Sequence, residues 1–316
     1  RTTAIRILAP HFEHKLFLTA TPHNGYSESF TALLELLDNQ RFARAVPLNR
    51  KQLETAMVRR LKSELEVRPD GTRRFAKRIV NHLEVDYTED EKNTHRLLRV
   101  YGELRLKSAA ADGDRMANEF VLKLLKKRLF SSPAAFATTL EKHATTVGAT
   151  ARHSGKAWQR QAAATEDDYS DDEEKEQVEL DAVEAASRNT HTITDAEKQS
   201  LSDLREYAQK NAVKADRKAL ALIEWLNTHI KPDGKWSDNR VIIFTEYRAT
   251  QNWLHDLLAA HGYAKSERLL TVYGGMDSKE RERIKAAFQT DPKDAPVRIL
   301  LATDTASEGV NLQNYC

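Results

Sequence analysis

The sequence predicts an α/β protein built on a parallel sheet, with a long helical insertion ahead of its C-terminal part. Three observations predict it. From Lys214 onward, short apolar runs alternate with amphipathic helical patterns, the arrangement that makes parallel strands joined by helical crossovers. Residues 88–147 show helical spacing throughout and no strand pattern. Finally, Leu16-Phe17-Leu18 and Val297 to Leu301 both break abruptly into small polar residues. Open parallel sheets place ligands at such carboxyl ends of strands. The expected organisation is three segments: 1–87, 88–213 and 214–316.

In chain order, residues 1–14 read as a helix with Ile5, Leu8 and Phe12 on one face. A strand over 16–18 follows, and Pro22 and Gly25 interrupt regular structure. Ser27 and Glu28 open a helix whose apolar face is Phe30, Leu33, Leu34 and Leu37. A further helix is expected from Arg50 through Leu61, and a strand over 79–87. Thr88 with Glu91 has capping-box spacing. The strongest helical pattern is Met116 to Phe130, with Lys123, Lys126, Lys127 and Arg128 among its apolar residues. Those bases either track a phosphate backbone or form the solvated face of a bundle helix. Ser131-Ser132-Pro133 ends it and begins another helix to about His143. In the C-terminal segment, Leu220, Ile223, Leu226 and Ile230 mark a helix, followed by strand 241–245, helix 250–261, strand 269–273, helix 277–289 and strand 297–301.

Charge is unevenly distributed. The net charge is +2, yet eleven of the 47 acids and one of the 49 Lys and Arg fall within 166–184, leaving the remainder at +12. A basic remainder suits a polyanionic partner or simply a soluble surface. The acidic run sits inside 144–200, a stretch with no sustained apolar face, and a solvated loop or mobile charged helix is expected there. A regulatory alternative is that the run mimics DNA and covers a basic groove. No apolar run approaches the ~18 residues of a membrane span. The one cysteine, Cys316, excludes an internal disulfide and fits a reducing, cytoplasmic setting. No His/Cys cluster has zinc-ligand spacing.

Two stretches carry the chemical signal. KLFLTATPHNG at 15–25 is an apolar strand followed by Thr19-Ala20-Thr21-Pro22, and VRILLATDTASEGVNLQ at 297–313 is an apolar strand followed by a polar, glycine-bearing loop. Between them stand RVIIFTEY at 240–247 and a strand ending in Gly274-Gly275. In order and spacing these resemble motif III, motif V, motif IV and the next strand-to-helix unit of the Snf2 branch of superfamily 2 helicase-like ATPases. The wording is similar to bacterial members, the DrmD-like proteins of DISARM phage defence and the RapA-like proteins.

The resemblance implies RecA-like lobes: the end of the first, a helical protrusion, and most of the second. It implies that Thr19 and Thr21 couple nucleotide state to DNA, although a cap and turn would explain the same Thr-Pro pair. Gly309 and Asn311 would approach ATP. Thr303 would face a strand phosphate, as would Gly274 and Gly275, for which a plain tight turn is the alternative. Arg59 and Arg60 would meet phosphate, or else complement a helix dipole. Asp304 and Glu308 depart from the family pattern, and Phe244 and Tyr247 are expected to pack rather than stack on bases. No GxxxxGK[ST] phosphate loop, DEAH pair or arginine-bearing motif VI is found, and the chain lacks an initiating Met. It therefore reads as a fragment from motif III to motif V, with no catalytic residue and negligible ATPase of its own, while the full-length protein would use ATP and Mg2+. The implied function is a motor on duplex DNA, in phage defence. The alternatives are a RapA-like remodeller with a transcription partner and a non-catalytic scaffold.

Overall fold

A computed structural model of the chain describes residues 2–19, 27–65, 67–72, 74–75, 79–109, 111–148, 155–165, 167, 169–304 and 312. The chain divides into two compact units, Arg1–His82 and Leu83–Cys316.

The first unit holds helices α1 (Thr2–Leu8), α2 (Ser27–Leu37) and α3 (Arg50–Ala56). Leu34 and Thr31 of α2 are buried, and the Thr31 hydroxyl accepts the Ala45 N–H at 2.9 Å, folding the following loop back on the helix. Asn49 caps α3 by accepting the Lys51 N–H. This helix stops at Ala56 instead of reaching Leu61, because it buries no residue and so lacks the tertiary packing that sustains short helices. The strands expected over 16–18 and 79–87 are absent. Leu16 and Leu18 are 81% and 86% exposed, and among the described residues no neighbouring chain pairs with either stretch. Alternation of apolar residues is not enough, since a strand exists only where its N–H and C=O groups find a ladder partner.

Among the described residues, the second unit begins with six helices: α4 (Glu89–Ser108), α5 (Asp112–Ser131), α6 (Pro133–Thr146), α7 (Gly155–Ala164), α8 (Asp172–Arg188) and α9 (Asp195–Asn211). Their starts are written in the sequence. Thr88 with Glu91 and Thr194 with Glu197 form capping boxes, and Ser132 caps α6 with Pro133 in its first turn. The bundle core contains Tyr101, Val121, Leu125, Phe136, Leu140, Val183 and Leu204. Several polar groups inside it are paired, although the buried Thr139 hydroxyl has no hydrogen-bond partner among the described residues. The Tyr101 hydroxyl meets His143 Nε2 at 2.6 Å, and His143 Nδ1 meets Ser187 Oγ at 2.6 Å. Arg105, also buried, reaches Asn118, His191 and Glu197.

The acidic run departs from its expected form. Most of it is α8, a helix packed into the bundle. Its inner face is made largely of alanine, with Ala182, Ala185 and Ala186 beside Val183, which explains why no apolar stripe stands out in the sequence. Arg128 differs too: it is buried rather than part of a solvated basic face.

The rest of the unit is a three-layer α/β lobe. Helix α10 (Arg217–His229), capped by Asp216, leads to β1 (Val241–Thr245), α11 (Arg248–Ala260), β2 (Leu269–Val272), α12 (Ser278–Gln289) and β3 (Ile299–Thr303). The strands are parallel in the order β1-β3-β2, with Ile299 in register with both Val241 and Leu269. Every residue of central β3 is buried. Its side chains alternate between layers, as the two-residue strand period requires. Ile299 and Leu301 join Ile223, Leu226, Leu254 and Leu258 on the α10/α11 side. Leu300 joins Ile284 and Phe288 on the α12 side.

Candidate nucleic-acid phosphate site

The carboxyl ends of all three strands meet at one edge of this lobe. Beyond β2 the chain makes the turn Tyr273-Gly274-Gly275. Gly275 has φ +84°, the left-handed region that favours glycine. Asp277 then caps α12 by accepting the Lys279 and Glu280 N–H groups. Gln251, fully buried on α11, straps the ends together by donating to Val272 O at 2.9 Å and Leu301 O at 2.8 Å. The Arg248 guanidinium lies 3.5 Å over the Tyr273 ring.

This arrangement brings three of the expected residues into one place. Thr303 ends β3 with 0% exposure, and its hydroxyl donates to Asp172 Oδ2 at 2.6 Å. The Gly274 N–H donates to the same oxygen, while its carbonyl accepts the Asp172 N–H at 3.4 Å. Beside them, a Cβ added to Gly275 would collide with the Asp171 carboxyl, with Oδ1 only 2.9 Å away. Two neutral donors thus converge on one carboxylate oxygen, at a position where they could equally hold a phosphate oxygen.

A second anion position lies next to the first. The Ala249 N–H in the first turn of α11 donates to Glu176 Oε2 at 3.2 Å, a favourable place for negative charge because the orphan amides and dipole of a helix N-terminus point there. The other Glu176 oxygen takes Arg128 at 2.6 Å, and Arg128 also reaches Glu179 at 2.8 Å. The guanidinium lies 3.7 Å over the Tyr247 ring. Burial and the carboxylates of Glu179 and Glu246 push the Tyr247 hydroxyl well above its usual pKa, so this phenol stays neutral.

The remaining expected residues are distributed differently. Thr19 is described and exposed; Ala20, Thr21 and Pro22 lie outside the described residues, as do Gly309 and Asn311. Arg59 and Arg60 belong to the first unit and are exposed on extended chain beyond α3. They follow the end of α3 at Ala56 rather than lying in its last turn. Tyr247 packs as expected, whereas Phe244 is 51% exposed. Asp171, Asp172, Glu176 and Gln251 were not foreseen at this edge. The Ser170-Asp171-Asp172-Glu173-Glu174 string, a capping residue followed by first-turn acids, is the signal that marks the start of α8.

Residues 220–315 match the family described as helicase conserved C-terminal domain. This lobe is helicase-like. Among curated proteins, the chain is 32% identical over 106 residues to "Uncharacterized ATP-dependent helicase YqhH" of Bacillus subtilis (strain 168), covering 34% of this chain and 16% of that protein. It is 30% identical over 99 residues to "DEAD-box ATP-dependent RNA helicase 35A" of Oryza sativa subsp. japonica, covering 31% of this chain and 13% of that protein. The matches thus span about a sixth or less of those relatives. A solved structure, the C-terminal part of the Fun30 ATPase domain, matches with a TM-score of 0.35 at 16% identity, covering 74% of this chain and 71% of that one. The helicase-like α/β lobe, with its parallel strands and flanking helices, is RecA-like in fold. Among the described residues, no helix is long and apolar enough to cross a membrane.

Proposed function

We propose that this chain is the polymer-gripping part of an ATP-dependent motor of the Snf2 type that moves on duplex DNA. The observation carrying this reading is the convergence of the Thr303 hydroxyl and the Gly274 N–H on a single anionic oxygen at the carboxyl ends of β2 and β3. Neither donor carries charge or reads a base. A site of this kind recognises a backbone oxygen regardless of sequence, which is what a translocating motor requires. The helicase-like match over the same residues supports it.

The chain's own residues hold, orient and desolvate a phosphate. Gln251 fixes the spacing of the strand ends, so the two donors are preorganised. ATP with Mg2+ would supply energy to the whole protein. Gly309 and Asn311, which the resemblance links to the nucleotide, lie outside the described residues, and the gripping role assigned to this lobe requires no nucleotide contact. The wording of the two motif stretches supports a place in phage defence, beside other DISARM components.

The test is binding of labelled duplex DNA, single-stranded DNA and RNA by this chain at low and moderate salt, with Thr303→Val beside the native sequence. Duplex should bind best and weaken with salt, and Thr303→Val should weaken it about tenfold or less, the scale of one lost hydrogen bond. Binding indifferent to polymer type and to Thr303 would refute the reading.

A further inference from the structure

The donors at the strand ends already hold anions, and those anions come from the chain itself. Asp172 and Glu176 stand four residues apart on one face of α8, about 6 Å along its axis. Asp172 takes the Thr303 hydroxyl and the Gly274 N–H, and Glu176 takes the Ala249 N–H. Glu173 lies 3.9 Å from Arg248. We propose that the first two turns of α8 are an intramolecular stand-in for a nucleic-acid strand. On this view Asp172 and Glu176 hold the places of two backbone phosphates and must leave before a strand can bind. The proposal rests on the phosphate-site reading above.

The way α8 is built supports a latch rather than a plain strut. Its buried apolar residues begin at Ala182, in the second half of the helix. Residues 171–178 are held by the Asp172 and Glu176 carboxylates, by the Asp172 N–H on Gly274 and by the Glu176 pair with Arg128, while Glu173, Glu174 and Gln177 face solvent. The first two turns can therefore unwind without emptying the bundle core, an opening that costs only part of the global stability. Glu179 remains on Arg128 throughout and marks the point where unwinding stops. Opening also returns two carboxylates to water and frees both anion positions together, so release and capture are coupled by charge.

The experiment measures duplex binding at low salt by the native chain, Asp172→Asn, Thr303→Val and the double variant. Asn keeps the shape and loses the charge. Charge-assisted hydrogen bonds are roughly twice as strong as neutral ones, so Asp172→Asn should bind duplex about tenfold more tightly. Thr303→Val should erase that gain. In parallel, hydrogen exchange of the 172–178 amides in the native chain should accelerate when duplex saturates it. If Thr303→Val weakens the native chain while Asp172→Asn binds no better, the phosphate site stands and the latch falls. If no variant binds nucleic acid, the site reading falls and the latch with it. If Asp172→Asn fails to fold, exchange decides: amides that stay protected at saturating duplex overturn the latch.

Discussion

Acidification should loosen the helical bundle through one side chain, His143. Its ring is sealed in the core between the Tyr101 hydroxyl and Ser187 Oγ, with Arg105 the charged group nearby. Burial, helped by Arg105, pushes its pKa down from 6.5 to about 3. The folded state therefore holds a neutral ring, while the unfolded chain binds a proton as pH falls below 6.5. Stability is present in full above the unfolded value and is lost as pH drops through the window toward the folded one. Between about pH 8 and about pH 5 the loss integrates to ~2 kcal/mol, from 1.36 kcal/mol per pH unit once the unfolded ring is charged. Half-buried His95, lowered by burial and by Lys218, adds in the same direction. The assay is urea unfolding followed by helical circular dichroism across that range, for the native chain and for His143→Gln. The native chain should lose ~2 kcal/mol, and the variant should show a shallower slope by a similar amount. A native chain whose stability is flat from about pH 8 to about pH 5 would refute the buried-neutral argument.

Other substitutions test the lobe and its junction with the bundle. Arg128→Met leaves Glu176 and Glu179 without their cation and should cost about 3–5 kcal/mol in chemical denaturation; adding Glu179→Leu should recover much of it. A loss under ~1 kcal/mol would contradict the burial of that cluster. Gln251→Leu strands the Val272 and Leu301 carbonyls and should cost ~2–4 kcal/mol, with amide exchange fastest at the carboxyl ends of β2 and β3. Gly275→Ala forces a side chain into φ +84° and against Asp171, and should cost ~1–2 kcal/mol while raising exchange at the start of α8. An unchanged melting curve for that variant would mean that the turn is not held in the left-handed conformation against Asp171.

The α/β lobe was legible because its cues reinforce one another. Val241 to Thr245 and Leu269 to Val272 are apolar runs punctuated by turn residues, and the helices between them carry strong apolar faces, so periodicity and connectivity agree. Thr303, Gly274 and Gly275 could be singled out because they follow strands. What bound to them could not be read. Asp172 lies 131 residues from Thr303 in the chain, and no local pattern reports such a distance. The acidic helix was hidden for a related reason. An alanine face has little hydrophobic contrast, and acids that will find Arg128 or Thr303 look the same as acids left in water. The 16–18 and 79–87 stretches fail in the opposite sense: their apolar content is plain, but pairing is a property of neighbours, not of the stretch itself.

The Glu91 carboxylate ties together the two ends of the helical bundle. Glu91 accepts the Thr88 N–H through one oxygen and the Arg217 N–H, at the first residue of α10, through the other at 2.9 Å. Arg217 also donates to the Asp86 carbonyl at 3.2 Å. The chain thus leaves for the six-helix bundle and returns from it through the same gate. A segment whose two ends coincide can be lengthened, exchanged or excised without rerouting the rest of the polypeptide. The bundle is in this sense a cassette: joining Asp86 directly to Arg217 would close the α/β lobe over a gap already spanned by hydrogen bonds.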